Sequence, residues 1–154
     1  MTAIVKRKNH NALQAVYERM GRAGKREIAV GFPAGMAKAY PDGTSVVEVA
    51  ARHVYGVGVP QRDFMALARH DIVEGTRPLL QAIAAAEVKG GQEGVADSLR
   101  DAAGMKAQAA IQQAIVDLSD PPNAPSTIEA KGSSNPLIDT GHMKNSVTYV
   151  VRDK

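Results

Sequence analysis

The tripeptide Asp139-Thr140-Gly141, preceded by the apolar pair Leu137-Ile138, is the part of this chain whose residue types most directly suggest a reaction. Two carboxylates that share one proton can activate water for attack on an amide, and an apolar stretch ending in Asp-Thr-Gly is a local form that delivers one of them. A single copy supplies a single carboxylate, so two chains would have to pair, and further strands would be needed to enclose a substrate. Only 13 residues follow Gly141. The simpler expectation is that Asp139 is a structural cap for a helical turn over residues 140–145, with Gly141 relaxing the backbone.

The four histidines, His10, His53, His70 and His142, fall in four different expected elements, with no pair four residues apart and no His-Glu-x-x-His. His70, Asp71 and Asp139 could meet only through folding. The glycine pairs Gly56-x-Gly58 and Gly90-Gly91 lack the third glycine of a nucleotide fingerprint, and no Gly-Lys-Ser/Thr occurs. With no cysteine in the chain, disulfides, thiolate-held zinc, iron–sulfur clusters and cysteine nucleophiles are excluded together. No catalytic residue, metal or cofactor is assigned.

A chain of 154 residues with 44% hydrophobic and 23% charged side chains fits a single domain spanning residues 1–154. Its core must be built from small parts, because six aromatic residues stand against 25 alanines. The longest apolar run, Ala82 to Ala86, is far too short to cross a bilayer, and Lys6-Arg7-Lys8 follows rather than precedes the apolar start, so the chain reads as soluble and unexported, with no membrane partner. Charge is unevenly spread. Residues 1–26 carry seven Lys or Arg and one acid, a net of +6, whereas the other 128 residues carry 12 basic and 15 acidic groups, a net of −3. The cluster Lys6, Arg7, Lys8, Arg22, Lys25 and Arg26 is therefore a candidate contact for DNA, without sequence preference, or for an acidic partner.

The elements that must position these residues follow from periodicity and punctuation. Leu13, Val16, Tyr17 and Met20 predict a helix over 9–20 with Asn9 as its cap, and Ile28, Val30 and Phe32 alternate as a strand over 26–32. A Gly- and Pro-rich loop near 33–43 closes with the turn Pro41-Asp42-Gly43. Ser45-Val46-Val47-Glu48 is a capping pattern opening a helix over 45–55, which Gly56, Gly58 and Pro60 end in an extended crossing segment. A long helix over about 64–88 should kink or restart near Thr76 because of Pro78. A second, over about 92–118, places Val95, Leu99, Ala103, Ala107, Ile111, Ile115 and Leu118 on one stripe, with Arg100, Lys106, Gln108, Gln112, Gln113 and Asp117 opposite. Four prolines forbid helix or central strand from Ser119 to Pro136, so that stretch, like 33–43, is expected to be a mobile loop. A β-branched run over 146–152 predicts a strand pairing with 26–32. The class is α+β, a small antiparallel sheet packed with two long helices, with residues 1–8 as a further candidate strand.

The carboxy-terminal third carries a specific pattern: Pro121-Pro122-Asn123-Ala124-Pro125-Ser126-Thr127-Ile128, then Lys131-Gly132-Ser133-Ser134-Asn135-Pro136-Leu137-Ile138-Asp139-Thr140-Gly141, then Asn145-Ser146-Val147-Thr148-Tyr149. Over residues 105–152 it resembles the tail-completion and neck (head–tail joining) proteins of tailed bacteriophages and prophages. Earlier, Glu48-Val49-Ala50 to Gly56 and Pro60-Gln61-Arg62-Asp63-Phe64-Met65 are similar to that family's helix, glycine and Pro-x-Arg-Pro-Phe, with Asp63 where proline is frequent. The resemblance implies an α+β structural virion protein without enzymatic activity, present in the host cytoplasm during assembly. It implies a ring of about six subunits at the head–tail joint, beside neck, tail-terminator or tail-tube proteins. Pro121, Pro122, Asn123, Pro125, Leu137 and Ile138 would then form the subunit or partner interface. The alternatives are a basic nucleic-acid-associated module and, remotely, an aspartic-protease-like enzyme using Asp139-Thr140-Gly141.

Overall fold

The computed structural model describes residues 10–33, 35–37, 39–90 and 94–154. Its elements run α1 (His10–Ala23), β1 (Arg26–Gly31), α2 (Val46–Tyr55), α3 (Phe64–Lys89), α4 (Val95–Asp117), α5 (Pro125–Lys131), α6 (His142–Asn145) and β2 (Thr148–Asp153). The fold is α+β: a two-stranded antiparallel sheet and two long helices packed on each other. The candidate strand over 1–8 and the Asn9 cap lie outside the described residues.

Helix α4 explains how an alanine-rich sequence makes a core. Arg100, Ala103, Gly104, Ala107, Ile111, Ala114 and Ile115 are all buried, at spacings of three and four that keep them on one face. Small residues on that face let neighbouring backbones come close. A Cβ at Gly104 would sit 2.2 Å from the Tyr149 ring of β2, and one at Gly75 of α3 would sit 2.9 Å from Cε of Lys106. Arg100, expected on the water-facing side, belongs instead to the buried stripe, three residues before Ala103, and only its ion pairs allow it there. Val95, expected in the stripe, is exposed at the helix start.

Asp63 N-caps α3 by accepting the Ala66 N–H at 2.9 Å, a task proline could not perform. The helix then continues through Pro78 without the expected restart. Packing against α4 along its length outweighs one missing backbone donor. Helix α2 begins as expected: Ser45 Oγ accepts the Glu48 N–H at 3.5 Å, and Gly56 ends the helix in the left-handed region at φ 71°. Glu48 does not reach back to the cap but pairs with Arg52 one turn on, at 2.7 Å.

The sheet register runs from Arg26 opposite Asp153 to Gly31 opposite Thr148. Opposed residues in an antiparallel pair share a face, so Ile28 with Val151 and Val30 with Tyr149 form the side laid on α4. Two strands alone are marginal, and this helix backing is what makes them stable. The main core joins Val46 and Ala50 of α2, Phe64 and Ala68 of α3, and Ile111 and Ile115 of α4 with Leu137, Met143 and Val147. Phe32 meets Phe64 edge to face at 6.4 Å.

The stretch from Ser119 to Pro136 is not structureless. Pro125 stands at the start of α5, where a missing N–H costs nothing, and Gly132 closes that helix at φ 68°. The prolines counted against a helix here are at its edges, outside its interior.

Candidate functional site

The segment between α4 and the final strand is organised by one side chain from the opposite half of the sequence. Arg62, 5% exposed, sits in the crossing segment between α2 and α3. Its backbone N–H donates to the His53 carbonyl at 2.7 Å, which fixes its position on the end of α2. From there Nε donates to the Pro121 carbonyl at 2.9 Å, and Nη2 donates to the Pro122 carbonyl at 3.0 Å and to Asn123 Oδ1 at 3.3 Å. Prolines make good acceptors here because their carbonyls remain when their N–H groups are gone. Burial pushes the Arg62 guanidinium below its ordinary value.

The far end of the segment is tied by three more groups. Asn123 Nδ2 donates to the Asn135 carbonyl at 3.3 Å, Asn135 Nδ2 donates back to Val116 of α4 at 2.7 Å, and Asn135 Oδ1 accepts the N–H groups of Leu137 and Ile138 at 3.0 Å. Lys131 Nζ donates to the carbonyls of Asn135 at 3.1 Å and Pro136 at 3.4 Å. A segment expected to be a mobile loop therefore finds partners for its backbone within its own chain. What it presents outward is Pro122, Pro125 and α5, whose residues Ser126 to Ala130 are all exposed.

Beside this clamp lies a cleft of about 330 Å³ whose walls include Tyr40, His53, Lys131, Asp139 and His142. The rings of Tyr40 and His142 are 4.7 Å apart. Burial, then the charges of Asp139 and Asp42, raises the Tyr40 hydroxyl above its ordinary value. Burial, then Arg62 and Lys131, holds His53 below its own. Lys131 is lowered by burial; Asp139 opposes that and Arg62 adds to it.

The site residues expected from the sequence fare unequally. Pro121 and Asn123 are half-buried under Arg62, while Pro122 and Pro125 are exposed. Leu137 is taken up by the core and is not offered to a partner, while Ile138 is partly buried against it, an apolar pair drawn in by the Asn135 turn. Asp139 is not the cap of α6. The capping position belongs to Gly141 at φ 76°, with no side-chain cap bond, and Asp139 is exposed at the cleft. His70 and Asp71 are exposed on α3 and do not line that cleft.

In the basic group, Lys6, Arg7 and Lys8 lie outside the described residues, as does the Arg22 side chain. Lys25 is exposed. Arg26 is not free for a partner, because its guanidinium pairs with Asp97 of α4 and lies 3.8 Å from Asp153. Among the described residues no group of three His, Asp or Glu is placed to hold a metal ion, and no helix is long and apolar enough to cross a membrane.

Arg62, His53 and Lys131 were missed as a set by sequence reasoning. The one available signal was Pro60-Gln61-Arg62-Asp63-Phe64, where an arginine between a proline and a helix start had no evident local partner. Comparison with protein-family models, with curated proteins and with solved structures finds no match to this chain.

Proposed function

We propose that this chain is a structural subunit of a tailed-phage or prophage virion, completing the tail or joining it to the head as a member of a ring, and that it catalyses no reaction. The observation that carries the reading is the sequence pattern from the Pro-Pro step to the Val-Thr-Tyr strand, which resembles that family over residues 105–152. The clamp gives the resemblance a physical use. A projecting helix whose ends are fixed before contact loses little entropy on docking, as a ring contact between rigid subunits requires. Pro122, Pro125 and the exposed side of α5 are then the surface offered to a neighbouring subunit.

Electron microscopy and mass measurement of the concentrated chain, alone and with candidate neck and tail-tube proteins, test the proposal. Closed rings that weaken on replacing Pro122 and Pro125 with aspartate are the expected result. A chain that stays monomeric with every such partner, and binds duplex DNA with a steep salt dependence, would favour a nucleic-acid module instead.

A further inference from the structure

The two ends of the segment from Pro121 to Pro136 are held by cations that flank one histidine. Arg62 holds Pro121, Pro122 and Asn123, and Lys131 holds Asn135 and Pro136. His53 adjoins both: its carbonyl accepts the Arg62 backbone N–H, and it lines the same cleft as Lys131. Its Nδ1 atom is shut away from solvent and has no hydrogen-bond partner. A neutral imidazole tolerates a bare acceptor nitrogen, but an imidazolium must donate from both nitrogens. Protonation would therefore create a buried unsatisfied donor and a third positive charge beside two fixed ones.

The other charged or titratable groups around the ring do not cancel this. On its own helix, Glu48 and Arg52 pair with each other in solvent. Across the cleft stand Tyr40, Asp42, Asp139 and His142. Of these Asp42 and Asp139 would attract an imidazolium, but both are exposed, Asp42 already accepts the Thr44 N–H and Asp139 already acts on Lys131.

We propose that His53 is a proton-sensitive latch: when its ring takes up a proton, the segment from Pro121 to Pro136, carrying Lys131 with it, is released from Arg62 while the α3–α4 core stays folded. The sign follows from the depressed titration of this histidine, caused by burial and then by the two cations. The latch is fully closed above the ordinary histidine value of 6.5 and weakens as pH falls below it toward the folded value. Within that window each pH unit raises the opening constant by up to about tenfold. The inference concerns the isolated chain and stands or falls independently of ring formation.

Hydrogen exchange read by mass spectrometry near neutral pH and about two units lower, corrected for intrinsic rates, tests it. In the wild type, peptides from Asn123 to Asn135 should lose protection on acidification, by no more than about tenfold for each pH unit below 6.5, with α3 and α4 unchanged. His53→Gln should keep its protection at both pH values, and Arg62→Gln should lack it at both. An NMR titration of the His53 ring in the unaltered chain provides a readout that needs no variant, and its midpoint should mark the lower end of the pH range over which protection falls. Equal protection of the wild-type segment at both pH values would overturn the latch, as would acid release in His53→Gln or a ring midpoint far from the release.

Discussion

Two buried arginines of this protein are held in opposite ways. Arg100, 4% exposed on α4, donates to Glu87 of α3 at 2.6 Å and to Asp97 one turn back at 2.9 Å, so its charge is matched where the two long helices meet. Burial alone would lower its titration, yet the two carboxylates more than offset that and raise it. Arg62 is as deeply buried but donates to carbonyl and amide oxygens, and its titration is lowered. Dipoles orient a guanidinium well but neutralise it poorly. The first arrangement fastens the body of the fold. The second sets the shape of a surface segment and leaves it sensitive to any further charge nearby.

Core and clamp should therefore fail differently. The largest effect belongs to Phe64→Ala, which empties a fully buried ring site touching Phe32 and the central cluster. A loss of about 3–5 kcal/mol in denaturant unfolding is expected, with core and segment lost in one transition. Two separate transitions in that variant would show that the segment folds independently of the core.

Gly104→Ala sharpens the same point about the body. An alanine at a helix interior normally gains about 1 kcal/mol over glycine. Here the added methyl would strike the Tyr149 ring, so a net loss of about 1–3 kcal/mol is expected. A raised melting temperature would mean that β2 can back away from α4 freely.

The arginines themselves give the direct contrast. Arg100→Met should lower global stability by about 1–3 kcal/mol, since bonds to charged groups are lost within the helix seam. Arg62→Met should change global stability by less than about 1 kcal/mol, because the freed carbonyls can meet water, while limited proteolysis cuts between Pro121 and Pro136 much faster than in the wild type. Equal global losses in the two variants would erase the distinction.

The smallest effect is assigned to Asp139. With Gly141 at the cap of α6, Asp139→Ala should shift the melting point by the equivalent of no more than about 0.5 kcal/mol. A larger loss would restore a structural task to the carboxylate.

Much of the fold was legible because its signals are local. The stripe from Ala103 to Ile115, the Ser45 cap with Gly56 at the other end, and the alternation through Ile28 and Val30 each lie within a few residues. The misreadings have particular causes. Arg100 reads as a wet-face residue because its charge is more conspicuous than its spacing from Ala103, and four prolines in one stretch read as loop although Pro125 opens a helix. The candidate site was less legible, since Arg62 and Pro121 are 59 positions apart and nothing near either names the other.

By itself the sequence determined the α+β class, the extent of the principal helices and the antiparallel pairing of the strands, because hydrophobic period, caps and turn residues act over one or two turns of chain. It determined also that cysteine chemistry is absent. Tertiary structure alone decided that Leu137 is core and Pro122 surface, that Gly141 and not Asp139 caps α6, and that His53 adjoins Arg62 and shares a cleft with Lys131. Those outcomes depend on which distant groups reach a carbonyl first and which are left beside water, and a one-dimensional pattern does not contain that competition.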